Sequence, residues 1–179
     1  MISIERIRDE FTKLIYRSSK PSRGINLLNE GGLLQIFLPE LIDCIGIRQP
    51  EYHDDDVYDH SLKVLDLAED SVKLAGLFHD IGKAKTMTKD EDGSIHFYGH
   101  DQVGVEIVNE VMNRLKFPKY EIKRVTNLIK YHMFYYPSAD WRNEKDLDQI
   151  NEDISKKVGG WTEAAIRRFI KNVGEENLD

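Results

Sequence analysis

The sequence predicts an all-α protein folded as a single irregular helical bundle, and three observations carry that expectation. Apolar residues recur at helical spacing in every periodic segment. Glycine and proline cut those segments into short lengths, which excludes a long coiled coil. With 179 residues and 40% hydrophobic content, the chain is about one domain long and able to build one buried core.

From Ser3 to about Tyr16, the apolar residues Ile4, Ile7, Phe11, Leu14 and Ile15 make one face of an amphipathic helix. Ser18-Ser19-Lys20-Pro21-Ser22 breaks it. Ile25 to Leu28, stopped by Gly31-Gly32, and Leu33 to Leu38, running into Pro39, read as two short helices packed at an angle. After Gln49-Pro50 comes an acidic loop, Glu51 to Asp56, placed to cap a helix from about Asp56 to Ala68. Ser71 to Ile81 is the central helix. Gly82, in the left-handed conformation that ends helices, is expected to stop it and leave His79 and Asp80 in its last turn. Asp92-Gly93 signals a small irregular hairpin. Helices from about Gln102 to Leu115 and from Tyr120 to His132 follow, the second ended by Pro137. Asn143 to Lys157 is highly charged, and Trp161 to Val173 reads as a last helix.

Lys and Arg number 25 against 32 Asp and Glu, a net charge of -7, the wrong sign for strong non-specific nucleic-acid binding. The basic residues Arg6, Lys13, Arg17, Lys20 and Arg23 read as an ordinary solvated face. One cysteine, Cys44, can make neither a disulfide framework nor a thiolate-rich metal site. No apolar run approaches the roughly 20 residues that span a bilayer, and Met1 to Arg6 carries no signal-peptide pattern. A cytoplasmic protein with no membrane partner is expected.

The chemistry concentrates in Leu74-Ala75-Gly76-Leu77-Phe78-His79-Asp80-Ile81-Gly82-Lys83, where an apolar helix ends in an adjacent imidazole and carboxylate. A helix C-terminus favours a cation. Two ligands do not hold a metal, and the chain offers three more: His60 in Tyr58-Asp59-His60, His100 in Phe97-Tyr98-Gly99-His100-Asp101, and His132 in Tyr131-His132-Met133. All fall near helix ends, on four helical elements that can converge on one pocket. Nitrogen and carboxylate donors suit Mn, Fe, Co, Ni or Zn, as one or two ions. His53 and His96 lack such a context and read either as surface residues or as residues that support the ligands from behind, and Tyr98, Phe134 and Tyr135 as packing around the pocket.

This pattern resembles the HD superfamily of metal-dependent phosphohydrolases, whose adjacent pair is matched by His79-Asp80 and whose upstream histidine is matched by His60. Phe97 to Asp101 with Gly104, Tyr131-His132-Met133 and Gly82-Lys83 resemble the HD domain attached to bacterial tRNA nucleotidyltransferases and poly(A) polymerases. Glu5 to Glu10, Gly31-Gly32-Leu33-Leu34 and Leu38-Pro39-Glu40-Leu41 resemble the neck leading into it. The likeness implies one HD domain over residues 1–179, with 1–50 a neck-like helical lead-in and 51–179 the metal-site helices. These residues contain no Gly-rich strand-turn with paired aspartates, so nucleotide addition is not carried over. The superfamily commonly closes its first metal site with a late aspartate, for which Asp140 and Asp179 are the candidates.

The resemblance implies a phosphohydrolase acting on a phosphomonoester or phosphodiester, of a nucleotide or an RNA 3' end. His60, His79 and Asp80 would hold the metal, with His100 and His132 at a second ion. Asp80 and Lys83 would act at the reacting phosphate, Lys83 as a phosphate-holding cation, and Asp101 would order a water or ligand beside them. Two rivals stand beside it: a di-iron oxygenase of the HD type, with the same ligand residues, and a non-catalytic module that binds RNA or a partner nucleotidyltransferase while its metal site is degenerate.

Overall fold

The computed structural model describes residues 2–49 and 55–133. Met1–His132 form one compact unit and Met133–Asp179 a second. His53, Phe134, Tyr135, the expected segments Asn143 to Lys157 and Trp161 to Val173, and both candidate late aspartates, Asp140 and Asp179, lie outside the described residues.

The described chain is helical apart from one small hairpin, in agreement with the all-α expectation. Helix α1 spans Ile4–Arg17 and opens on Ser3, whose hydroxyl accepts from the Arg6 amide. Helix α2, Pro21–Glu30, begins earlier than the apolar pattern suggests, because Pro21 sits at its first position, where a fixed φ and a missing N–H do no harm. Gly32, at φ +67°, turns the chain into the single-turn helices α3, Leu34–Phe37, and α4, Pro39–Ile42. Helix α5, Val57–Leu67, is capped by Asp56, which accepts from the Asp59 amide at 2.8 Å through one oxygen and from the Gly46 amide at 2.6 Å through the other. That carboxylate pins the start of α5 to the chain leaving α4.

The central helix is shorter than its apolar run. Helix α6 covers only Lys73–Phe78; residues 79–82 then form tight turns in which the Ile81 amide bonds the Phe78 carbonyl and the Lys83 amide bonds the Asp80 carbonyl. Helix α7, Lys83–Thr86, follows directly. Gly82 corrects the expectation of a left-handed helix stop: it is right-handed, at φ -67° and ψ -20°. Its requirement for glycine is spatial. A Cβ there would run into the His100 carbonyl oxygen and the Gly104 amide.

Strands β1, Thr88–Lys89, and β2, Ile95–His96, pair antiparallel around a turn with Gly93 at φ +93°. Helices α8, His100–Arg114, and α9, Lys119–Tyr131, pack along each other, as α5 does along α6. One core cluster joins the lead-in to the later helices, running from Phe11, Ile15 and Ile25 through Leu65 and Phe78 to Met112 and Ile129. Burying side chains of this size stabilises by about 1.5–3 kcal/mol each. That core fixes the ends of α5, α6, α8 and α9 relative to one another. No helix among the described residues is long and apolar enough to cross a membrane.

Candidate metal centre

Asp80 is the hub. It leaves the end of α6 into a buried position, 3% exposed, and its two carboxylate oxygens face different histidines. Oδ2 lies 3.1 Å from His79 Nε2 and 3.7 Å from His60 Nε2. Oδ1 lies 3.5 Å from His100 Nε2 and 3.6 Å from His132 Nε2. The imidazoles pair off in the same way, with Nε2 atoms 3.2 Å apart between His60 and His79, and 3.2 Å apart between His100 and His132. All five residues expected as ligands are thus brought together, as two groups that share Asp80, with the donor atoms of each group within 4.8 Å of one another.

Each position follows from local structure. His60 sits in α5 soon after its Asp56 cap, and His79 occupies the C-terminal end of α6. His100 is the first residue of α8, which starts two residues before the expected Gln102, and His132 closes α9. Three of the rings are held the same way: Nδ1 of His79 contacts the Gly76 carbonyl at 2.8 Å, Nδ1 of His100 the Phe97 carbonyl at 2.8 Å, and Nδ1 of His132 the Ile129 carbonyl at 2.6 Å. A carbonyl only accepts, so each Nδ1 carries a proton and donates it there, and the ring is turned so that its Nε2 faces Asp80. Backbone hydrogen bonds of this kind set the tautomer and orientation of metal-binding histidines.

Burial pushes the Asp80 carboxyl up, but the contacts with His132 and His79 and the charge of Lys83 outweigh it and hold the group well below the usual carboxylate range. It is an anion at neutral pH. Burial likewise lowers His100 from its ordinary value, against the opposing pull of the Phe97 carbonyl and Asp80, which favours the neutral ring. The imidazole nitrogens and carboxylate oxygens of each group converge closely enough to be ligands of one cation. The donor set, four imidazole nitrogens and a shared carboxylate, fits one or two divalent transition metals. Cys44 contributes no thiolate: it is buried, and burial pushes its thiol up to about 12.

Lys83 Nζ donates to Asp80 Oδ2 at 2.8 Å, lies 5.4 Å from the centre of the Phe97 ring, and donates to Gln49 Oε1 at 2.6 Å. Sequence reasoning missed Gln49, since a glutamine before a proline carries no pattern. Asp101 stands half-exposed in the first turn of α8 and belongs to neither ligand group. His96 bonds Asp90 at 3.0 Å and stacks on Tyr98. Tyr98, expected to pack around the pocket, is instead 77% exposed.

A model of the HD domain matches residues 57–159, which is more than half of the chain. The chain belongs to the HD domain family. Residues 1–45 match a second model, described as the probable RNA and SrmB-binding site of polymerase A. Among curated proteins, the chain is 39% identical over 144 residues to an A-adding tRNA nucleotidyltransferase of Deinococcus radiodurans, covering 76% of this chain and 33% of the relative. It is 36% identical over 141 residues to a CC-adding tRNA nucleotidyltransferase of Thermus thermophilus, 74% of this chain and 32% of the relative. A multifunctional CCA protein of Neisseria meningitidis is 32% identical over 155 residues, 83% of this chain and 36% of the relative. The chain therefore spans about a third of the length of these relatives. HD domains are metal-dependent, and both ligand groups fall on helices that begin within the matched segment.

Proposed function

We propose that the HD domain of this chain is a metal-dependent phosphohydrolase that cleaves a phosphomonoester or phosphodiester of a nucleotide or an RNA 3' end. The observation that carries it is the convergence of four imidazole nitrogens on the two oxygens of one buried carboxylate that is also held by a lysine. His60, His79 and Asp80 hold one ion, and Asp80, His100 and His132 a second. Bound there, divalent ions supply a water of lowered pKa and neutralise charge on the phosphoryl oxygens. Asp80 keeps both ligand groups anionic and in register. Lys83 offers a cation to the phosphate or its leaving oxygen. Residues 1–50 act as a neck-like lead-in and 51–179 carry the metal-site helices. The word tRNA in the names of the relatives supports an RNA end as substrate, bound locally, since the net charge of -7 disfavours broad nucleic-acid binding.

The test is metal analysis of the purified protein, followed by hydrolysis of bis(p-nitrophenyl) phosphate and of a 3'-phosphorylated RNA oligonucleotide, in air and without oxygen. Hydrolysis that depends on added manganese, cobalt or nickel and is indifferent to oxygen is expected. Turnover that requires oxygen would replace this reading by the di-iron oxygenase.

A second reading, a non-catalytic module that binds RNA or a partner nucleotidyltransferase, draws on another observation. A cavity of about 930 Å³ opens between α1, α2 and α3, lined mainly by apolar residues including Phe11, Leu27 and Ile36, inside the segment that matches the RNA and SrmB-binding model. A protein that takes up none of the three metals would favour the module.

A further inference from the structure

Gln49 is buried, 8% exposed, and only half of its amide is used. Oε1 accepts from Lys83 at 2.6 Å, whereas Nε2 is buried with no hydrogen-bond partner, the one such side-chain atom among the described residues. An amide donor shut away from water and left unmatched destabilises the fold. Methionine or leucine would fill a similar volume without that loss. The glutamine is therefore of use here through its oxygen, and that oxygen touches Lys83.

An ammonium group has three N–H donors. Gln49 Oε1 takes one and Asp80 Oδ2 takes another at 2.8 Å, with the Phe97 ring 5.4 Å away on a further side. The third has no acceptor among the described residues. With Asp80 alone to bind, a lysine on a flexible stem would be free to swing about that one contact. Held at two points, it keeps a fixed direction for the remaining N–H.

We propose that Gln49 is a positioning residue, which clamps Lys83 between its own Oε1 and Asp80 so that the third N–H of the ammonium is kept for a phosphoryl oxygen beside the ligand groups. The proposal rests on the phosphohydrolase reading. It adds to that reading a residue from the chain that precedes α5, outside the segment matched by the HD model.

The test uses the full chain loaded with manganese, and inorganic phosphate as the probe, titrated by the broadening of its phosphorus resonance. Gln49→Met should leave manganese uptake as in the parent and the melting temperature equal or higher. Phosphate should bind about tenfold more weakly, the size of one charge-assisted hydrogen bond lost or misdirected. In a Lys83→Met background, Gln49→Met should change phosphate affinity no further, because the glutamine acts through the lysine. Gln49→Leu serves as the second apolar variant, and failure of both to fold would overturn the proposal. So would Gln49→Met that binds phosphate like the parent, or that loses manganese; either result leaves the phosphohydrolase reading standing. A parent protein that binds manganese but no phosphate would bring down that reading and this proposal together.

Discussion

At the scale of the residue, Asp80 distinguishes one shared site from two neighbouring ones. His60 and His79 address one of its oxygens and His100 and His132 the other, so each histidine serves one ligand group and Asp80 serves both. Asp80→Asn should accordingly abolish binding of both ions, whereas His60→Ala or His79→Ala should remove one, and His100→Ala or His132→Ala the other. Metal content per chain after saturation with manganese and desalting checks this; loss of a single ion in Asp80→Asn would show that the carboxylate is not shared. Asp80→Asn also takes the anion from Lys83, whose side chain is only 14% exposed. The metal-free variant should therefore lose about 1–3 kcal/mol of stability, with helicity kept, because the core around Phe78 and Leu65 does not depend on that carboxylate.

At the scale of the element, the candidate ligands stand at or near helix ends, and the chain between α6 and α8 decides whether those ends meet. Gly82 is the contact point: its Cα faces the His100 carbonyl and the Gly104 amide, and Gly104 itself faces the Gly82 amide. Gly82→Ala should push the start of α8 away from the Asp80 turn, with an overpacking loss of about 1–3 kcal/mol. Binding at the His100 and His132 group should weaken more than at the His60 and His79 group. Thermal melts beside manganese titrations test it, and a variant with the parent's melting temperature and full metal content would mean that the backbones part without consequence. The requirement at Gly82 was not legible from sequence, because it comes from a residue 18 positions later in the chain, and the sequence alone suggested a left-handed helix stop. What could be read was what local pattern controls: the start of α1 near Ser3, the acidic cap of α5, the hairpin at Gly93, and the apolar faces of α1, α5, α8 and α9. The five ligand candidates were legible for the same reason, since each stands at a helix end or junction marked by its neighbours. The shortness of α6, the double-facing Asp80 and the Gln49 contact depend on packing between distant segments, which periodicity does not register.

At the scale of the whole molecule, the candidate ligands come from α5, from the end of α6, from α8 and from the end of α9, so a metal bound there would tie together most of the unit from Val57 to His132. An ion that binds only the folded chain stabilises it by about 2.7 kcal/mol when its concentration is a hundredfold above its dissociation constant. Protons compete for the same nitrogens. Burial holds His100 below its ordinary value in the folded state, so on acidification the unfolded imidazole takes its proton first. The unfolded state then binds more protons, and stability falls as pH drops below about 6.5 and on toward the lower folded value. Metal keeps the ring neutral and should widen this difference. The melting temperature of the manganese-loaded protein should therefore exceed that of the metal-free protein most at pH 7 to 8 and converge on it as pH falls. Raising manganese should carry the convergence point to lower pH, since mass action lets the ion compete better for the imidazoles. Melts across pH at several manganese concentrations measure this directly. A metal-induced shift that is the same at every pH would mean that the ion is held by carboxylates elsewhere on the acidic surface and not by the histidines around Asp80.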